Sequence, residues 1–209
     1  MTRKSASPEH YYSAHPASEA NLGLIRTSLR GKPFEFLTAA SVFSKKRVDT
    51  GTRLLIETMI LPDQGRILDV GCGYGAVGIA AAHFNPALQV VMTDVNMRAV
   101  HLARENIERN KAANAEVRCG CLYEPVEDLT FNCILSNPPV SAGMDTVKAI
   151  ITEAPKVMAT KATLQMVVRS KIGGKTMPAI FEAVFGKCRV LARESGYRVL
   201  TAEKTPHKL

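Results

Sequence analysis

Residues 67–75 read Ile67-Leu68-Asp69-Val70-Gly71-Cys72-Gly73-Tyr74-Gly75, an apolar run ending in three glycines at alternate positions. Small apolar residues follow over 76–84. This order predicts strand, tight turn, helix, because glycine lets the backbone turn sharply and lie against a ligand near a helix N-terminus. Asp94 stands 23 residues after Gly71, at the end of the next apolar run, 88–93. In a strand–helix–strand unit that is where a carboxylate grips the two hydroxyls of an adenosine ribose. Gly71 to Ala76 also fits G-x-G-x-x-A, the loop of a nicotinamide dehydrogenase. Asp69 argues against that reading: an acid two residues before the first glycine would repel a pyrophosphate. It suits a cofactor with a cationic end and no phosphate, such as S-adenosylmethionine.

Outward from this unit the alternation continues. Apolar runs predict strands at 66–70, 88–93, 116–121, 131–136, 164–168, 188–192 and 198–201. Helical spacing predicts helices at 76–84, 97–111, 146–158 with a kink at Pro155, and 177–185. Near-continuous apolar strands alternating with helices mean a mostly parallel sheet covered on both faces. Only Arg193-Glu194-Ser195-Gly196 separates the last two strands, too short for a crossover, so those two pair antiparallel. Before this core, 22–29 is expected as a short helix and 34–38 as a strand. Asp49-Thr50-Gly51-Thr52 caps a further helix carrying Leu54, Leu55, Thr58 and Met59. We expect one domain over 1–209: a polar arm at 1–20, an extension at 21–60 and the core at 61–209.

The chain has 209 residues, 46% hydrophobic and 22% charged, and no apolar run long enough to span a membrane. Five cysteines form no Cys-x-x-Cys pair, and residues 1–20 lack a signal-peptide core. Both fit reduced thiols and a cytoplasmic location. Cys119 and Cys121 are expected as neutral buried thiols on one strand face, and no metal site is expected. His101 is expected on a helix surface. The net charge is +8, which favours a polyanionic partner.

The second motif is Ser136-Asn137-Pro138-Pro139-Val140, directly after a strand. Two prolines fix φ, remove two N–H donors and hold the segment extended at a strand's carboxyl end. The Asn137 side-chain oxygen and the Pro138 carbonyl are then free to accept hydrogen bonds from a substrate NH₂. That suits methylation of an amino nitrogen whose lone pair is delocalised, with positioning and electrostatics supplying the catalysis.

These residues carry a resemblance. Asp69 to Gly75 resembles motif I of class I S-adenosylmethionine-dependent methyltransferases, and Asn137-Pro138-Pro139 resembles their amino-nitrogen motif, (N/D)PP(Y/F/W), with Val140 in place of the aromatic. Val42-Phe43-Ser44 and Asp49 to Leu55 resemble a segment before the core of small-subunit ribosomal RNA guanine-N2 methyltransferases. His10 to Ser13 and Gly196 to Leu200 are similar to the ends of archaeal-type members. The resemblance implies a Rossmann-like, doubly wound α/β fold of seven strands with an N-terminal helix and strand extension. It implies S-adenosylmethionine bound by Asp69, Gly71, Cys72, Gly73, Gly75, Asp94, Val95, Cys121, Leu122 and Asn137, with Cys121 where the family often has an acid. Asn137, Pro138 and Pro139 would be catalytic. Phe43, Asp49, Gly51 and Val140 would line the substrate pocket, and Lys45, Lys46 and Arg47 would meet ribosomal RNA phosphates. Arg169, Lys171 and Lys175 would add basic charge to the same rim. Asp49 and Thr50 read equally as a helix cap and as a cap that is also pocket wall. Other readings remain: a protein-glutamine or DNA-adenine methyltransferase, a non-catalytic RNA-binding domain on this fold, or a Rossmann oxidoreductase.

Overall fold

The computed structural model describes residues 22–39, 47–138, 143–173 and 176–205. Phe43, Lys45, Lys46, Pro139, Val140, Lys175 and the 1–20 arm lie outside them. The described chain begins with a hairpin, β1 (Gly23–Leu29) and β2 (Lys32–Thr38), followed by α1 (Thr50–Thr58). Then come β3 (Gly65–Val70), α2 (Ala76–Phe84), β4 (Leu88–Asp94), α3 (Met97–Arg109), β5 (Ala115–Cys119) and β6 (Phe131–Ser136). The rest is α4 (Met144–Glu153), β7 (Met158–Arg169), the single turn α5 (Ser170–Gly173), α6 (Thr176–Phe185), β8 (Arg189–Glu194) and β9 (Tyr197–Glu203).

Seven strands form one sheet in the order β5-β4-β3-β6-β7-β9-β8. β3 through β7 pair in parallel, and β9 runs antiparallel to both β7 and β8. This is the expected Rossmann-like doubly wound α/β fold. One apolar cluster joins α1, α2, α3 and the hairpin on one face, and a second joins α4 and α6 on the other. The chain reverses its direction of travel across the sheet between β3 and β6, and such switch points open a crevice at the strands' carboxyl ends.

Three expectations about the elements are corrected. Residues 22–29 form strand β1 rather than a helix. Ile25 and Leu29 are its buried anchors, and residues four apart share a face at either the helical or the strand period. The turn decides it: Arg30 and Gly31 both have positive φ, 45° and 75°, the two-residue geometry that suits the right-handed twist of a hairpin. The helix expected to 158 ends at Glu153, and Pro155 sits in a separate 3₁₀ turn, Ala154–Lys156. β7 therefore starts at Met158 rather than near 164. Cys119 ends β5, and Cys119 and Cys121 are both exposed rather than buried.

The hairpin is fastened to the sheet side through α3. Asn106 and Asn110 stand one turn apart and act as a partner for the free edge of β2. Asn110 Oδ1 accepts from Glu35 N (3.1 Å) and its Nδ2 donates to Glu35 O (2.7 Å). Asn106 does the same for Leu37, at 2.7 and 2.9 Å. Covering an edge in this way removes a template for unwanted strand pairing. Asn106 is fully buried, and its Nδ2 also donates to Tyr74 O (2.9 Å), so one amide joins the hairpin to the glycine loop. At the other end Gln165, 1% exposed, brackets Ile60 through Ile60 N to Oε1 (2.9 Å) and Nε2 to Ile60 O (2.6 Å), fixing the exit of α1.

Asn106→Ala leaves the half-buried backbone N–H and C=O of Leu37 and the buried carbonyl of Tyr74 without partners, each costing about 1–3 kcal/mol where water cannot replace the amide. Urea unfolding should show a loss of at least about 2 kcal/mol; a loss below about 0.5 kcal/mol would mean that water replaces the amide at no cost.

Candidate functional site

Sheet register sets the geometry. Val70 at the end of β3 is level with Thr93 on β4 and Ser136 on β6. The next residue of each strand path is Gly71, Asp94 and Asn137, so the parallel sheet aligns the glycine loop, the acid and the Asn-Pro segment in one row. Side bonds tie the row together. Gly71 N and Cys72 N both donate to Thr93 O, at 2.9 and 3.0 Å. Ser136 Oγ donates to Val70 O (2.9 Å).

Gly71 and Gly73 have φ of 70° and 58°, and a Cβ on either would meet nothing within 4 Å. The loop thus combines a left-handed backbone with open space, a cradle that a side chain would fill. Gly75, also left-handed, directly precedes α2. Gly78 serves packing instead: a Cβ there would fall 2.5 Å from Met92 Cγ and Sδ, so α2 lies directly on β4.

Asp94 faces this cradle, half-buried. Its Oδ2 accepts from Gly73 N (2.8 Å) and its Oδ1 from Asn96 N (2.9 Å). Burial pushes its carboxyl above the usual range, while the N–H groups of Asn96, Gly73 and Val95 pull it down. Each oxygen keeps further acceptor capacity, which fits the two hydroxyls of a ribose. Val95 follows, half-buried, and Asn96 caps α3 by accepting from Arg98 N and Ala99 N. Cys121 lies exposed, two residues beyond the end of β5. Leu122 is half-buried, with φ at 47° and its carbonyl accepting from Thr93 Oγ1 (3.0 Å). Burial, with Asp94 and Asp69 beside it, pushes the Cys72 thiol up, so it stays neutral.

Asp69 is closed off from solvent at 1% exposed, and its Oδ2 accepts from Gly78 N (2.9 Å). It packs under the loop against α2, so it acts on a bound group through its field rather than from an open surface. Burial pushes its carboxyl up to about 7; the Gly78 N–H opposes this and Asp94 adds to it. The carboxyl therefore holds its proton more readily than a free carboxylate, which weakens it as a barrier to a pyrophosphate.

Asn137 and Pro138 are half-buried. Asn137 Nδ2 donates to Thr52 Oγ1 (2.8 Å) and lies 3.4 Å from Asp49 Oδ2. Asp49 is the N-cap of α1: the same Oδ2 accepts from Gly51 N and Thr52 N. It is therefore a cap that also reaches Asn137. Gly51 is buried, and a Cβ there would fall 2.9 Å from Tyr197 Cε1. Arg47 is exposed two residues before the cap. His101 is exposed and pairs with Glu105 at 3.0 Å.

Thr52, Tyr197 and Asn106 were not singled out in the sequence. Asn106 left a signal, a polar residue on the apolar face shared with Val100 and Ala103. Thr52 had only its place in the cap, and Tyr197 only its place in the Gly196 to Leu200 run. Among the described residues every buried side-chain nitrogen and oxygen has a partner, and no group of three or more His, Cys, Asp or Glu is placed to hold a metal. No helix there is long and apolar enough to cross a membrane.

The model of the methyltransferase small domain family matches residues 33–201. The Bacillus subtilis (strain 168) protein YbxB is 38% identical over 94% of this chain and 98% of its own length. Ribosomal RNA small subunit methyltransferase C of Haemophilus influenzae (strain PittGG) is 30% identical over 89% of this chain and 62% of its own. A solved T. thermophilus 16S rRNA N2 methyltransferase (RsmC), in complex with AdoMet and guanosine, superposes with a TM-score of 0.80. It has 24% identity, over 91% of this chain and 52% of the other. The chain thus spans roughly half to three-fifths of these two ribosomal RNA methyltransferases.

The buried Asp69 gives a pH signature. Its proton is retained in the folded chain up to about 7 and lost in the unfolded chain near pH 4. As pH rises through that window the unfolded state is favoured progressively, by up to about 4 kcal/mol at full ionisation. Urea midpoints should therefore fall from pH 5 to pH 8, and Asp69→Asn should flatten the fall. Parallel pH profiles for the two proteins would contradict the buried, proton-holding carboxyl.

Proposed function

The chain belongs to the methyltransferase small domain family, and from that premise we propose that it is an S-adenosylmethionine-dependent methyltransferase acting on an amino nitrogen, guanine N2 of ribosomal RNA. The observation that carries this reading is the Asn137 amide. Its N–H side is turned to Thr52 and Asp49, which leaves Oδ1 to accept from a substrate NH₂ one row position from the glycine loop and two from Asp94. When bound, S-adenosylmethionine supplies a methyl group on a cationic sulfur.

Asp94 takes the two ribose hydroxyls, and the open glycines 71 and 73 let the backbone approach the ligand. Asp69 beneath the loop favours a cationic group over a phosphate as it ionises. Asn137 Oδ1 and the Pro138 carbonyl hold the acceptor amine by its N–H bonds, aiming its lone pair. With S-adenosylmethionine held by Asp94 and the glycine loop, its sulfonium would supply the methyl group to the nitrogen that Asn137 and Pro138 orient, the S–C electron pair would stay on sulfur, and the surplus N–H proton would leave to water. The acceptor N–H bonds tighten as positive charge develops on the nitrogen, which lowers the barrier.

The choice of RNA over protein rests on charge. The chain carries +8. Arg169 and Lys171 are exposed where β7 ends, on the sheet edge that carries the site. Arg169 Nε donates to Tyr197 OH (2.9 Å), and Tyr197 packs on Gly51 beside Asp49. Basic groups there suit phosphates flanking an unpaired guanine.

The test is tritiated-methyl transfer to unmodified ribosomal RNA, bulk tRNA, DNA and protein, followed by identification of the methylated nucleoside or residue. The expected product is N2-methylguanosine in ribosomal RNA, and methylated glutamine or adenine would overturn the substrate. Asp94→Ala should weaken S-adenosylmethionine binding in calorimetry by about 1.5–3 kcal/mol; unchanged affinity would remove Asp94 from the site.

Binding should also weaken as salt rises from about 50 to 200 mM, through counterion release. Replacing Arg169 and Lys171 by alanine should flatten the salt slope by up to about 2 units if both touch phosphate. An unchanged slope would move the RNA path elsewhere.

A further inference from the structure

An asparagine amide can flip, and only one of its two orientations presents an oxygen to a substrate amine. At Asn137 the choice is forced. Asp49 is acceptor-only when ionised, and its Oδ2 lies 3.4 Å from one end of the amide, while Thr52 Oγ1 lies 2.8 Å from the same end. Placing the amide oxygen there would set it against the carboxylate, so the NH₂ group occupies that end. We propose that Thr52 and Asp49 are positioning residues for the transfer step, fixing and polarising the Asn137 amide so that Oδ1 faces the acceptor nitrogen. This rests on the amino-nitrogen reading above, but not on RNA as the acceptor.

The pair is well placed for this role. Thr52 is 6% exposed, and its own N–H donates to Asp49 Oδ2 at 3.2 Å. One carboxylate oxygen thus gathers Gly51 N (2.9 Å), Thr52 N and the Asn137 amide. It joins α1 to a strand end 88 residues away in sequence. The cap itself is confined: a Cβ at Gly51 would come within 3.0 Å of Asp49 Oδ2 and 2.9 Å of Tyr197 Cε1. The buried Tyr74 phenol on the glycine loop is pushed up by burial and further by the Asp49 charge, so that charge is felt across the site.

The consequence is chemical. Hydrogen bonds to oxygens on the N–H side of an amide increase electron density on its carbonyl oxygen, and such chains reinforce one another. A more negative Oδ1 gains most when the acceptor nitrogen becomes positive as its N–C bond forms. No proton passes to Asn137, Thr52 or Asp49, so the pair acts entirely through orientation and polarisation.

The experiment compares Thr52→Val, Thr52→Ser and Asp49→Asn with the wild-type chain. Single-turnover rates and KM are measured on whichever nitrogen acceptor the wild type methylates fastest. Cofactor affinity comes from calorimetry, and the Asn137 side-chain amide is followed by nitrogen-15 NMR, assigned by its loss in Asn137→Ala. Thr52→Val should lower the rate by about tenfold or more, with acceptor KM and cofactor affinity within about twofold, and serine should restore most of it. Asp49→Asn keeps a capping oxygen and should lower the rate with little change in melting temperature. In Thr52→Val the Asn137 amide signals should move toward those of exposed asparagine side chains. A full rate in Thr52→Val, or Asn137 signals unmoved by it, overturns the inference. A wild type that methylates no nitrogen acceptor overturns the function reading instead, and the amide signals then decide the clamp alone.

Discussion

Everything at the site follows from how β3 is held between β4 and β6. Val70, Thr93 and Ser136 are level, so the three chains leave the sheet side by side. The Thr93 carbonyl then takes both Gly71 N and Cys72 N, turning the glycine loop back over β4, while Ser136 Oγ binds Val70 O from the other side. A slip of one residue in either pairing would send Asp94 or Asn137 to the opposite face. Because these strands are apolar on both sides, burial alone does not choose the register; the Thr93 carbonyl bonds to Gly71 N and Cys72 N and the Ser136 hydroxyl bond to Val70 O hold it.

The N-terminal unit is built onto that row rather than beside it. Asn106 reaches from α3 to both Leu37 and Tyr74, and Asp49 reaches from the cap of α1 to Asn137. Arg53 anchors α1 back to the hairpin through Ser28 O (2.9 Å) and Thr27 Oγ1 (2.7 Å). The hairpin, α1, the glycine loop and the Asn-Pro segment therefore form one continuous polar network, around a crevice whose walls come from both ends of the chain. A network of this kind stabilises fully only when every member is satisfied, as it is among the described residues.

The sheet was legible because its strands are apolar on both faces and its glycines punctuate them; α2 and β6 match their expected bounds. Legibility failed where local pattern is ambiguous. Ile25 and Leu29 fit either period, and only the positive φ of Arg30 resolves them. The first half of β7 carries Thr160 and Lys161, with Lys161 at φ 65°. It is held as strand by pairing of Lys161 N with Lys204 O (2.9 Å), a partner no local window contains. Asp94 and Asn137 stood out because each sits in a motif recognisable from the sequence. Thr52 did not, because its meaning lies in a partner 85 residues away. Cys119 and Cys121 misled because β5 is the edge strand of the sheet and stops at Cys119, so neither thiol is covered.

The most direct test of this account is a crystal structure with S-adenosylhomocysteine and guanosine bound together. It should place both ribose hydroxyls of the cofactor product on the Asp94 carboxylate. The guanine N2 should lie within about 3.2 Å of Asn137 Oδ1, and the Asn137 NH₂ should remain on Thr52. A guanosine whose N2 faces away from Asn137, or a cofactor product whose ribose leaves Asp94 bonded only to its own backbone partners, would contradict it.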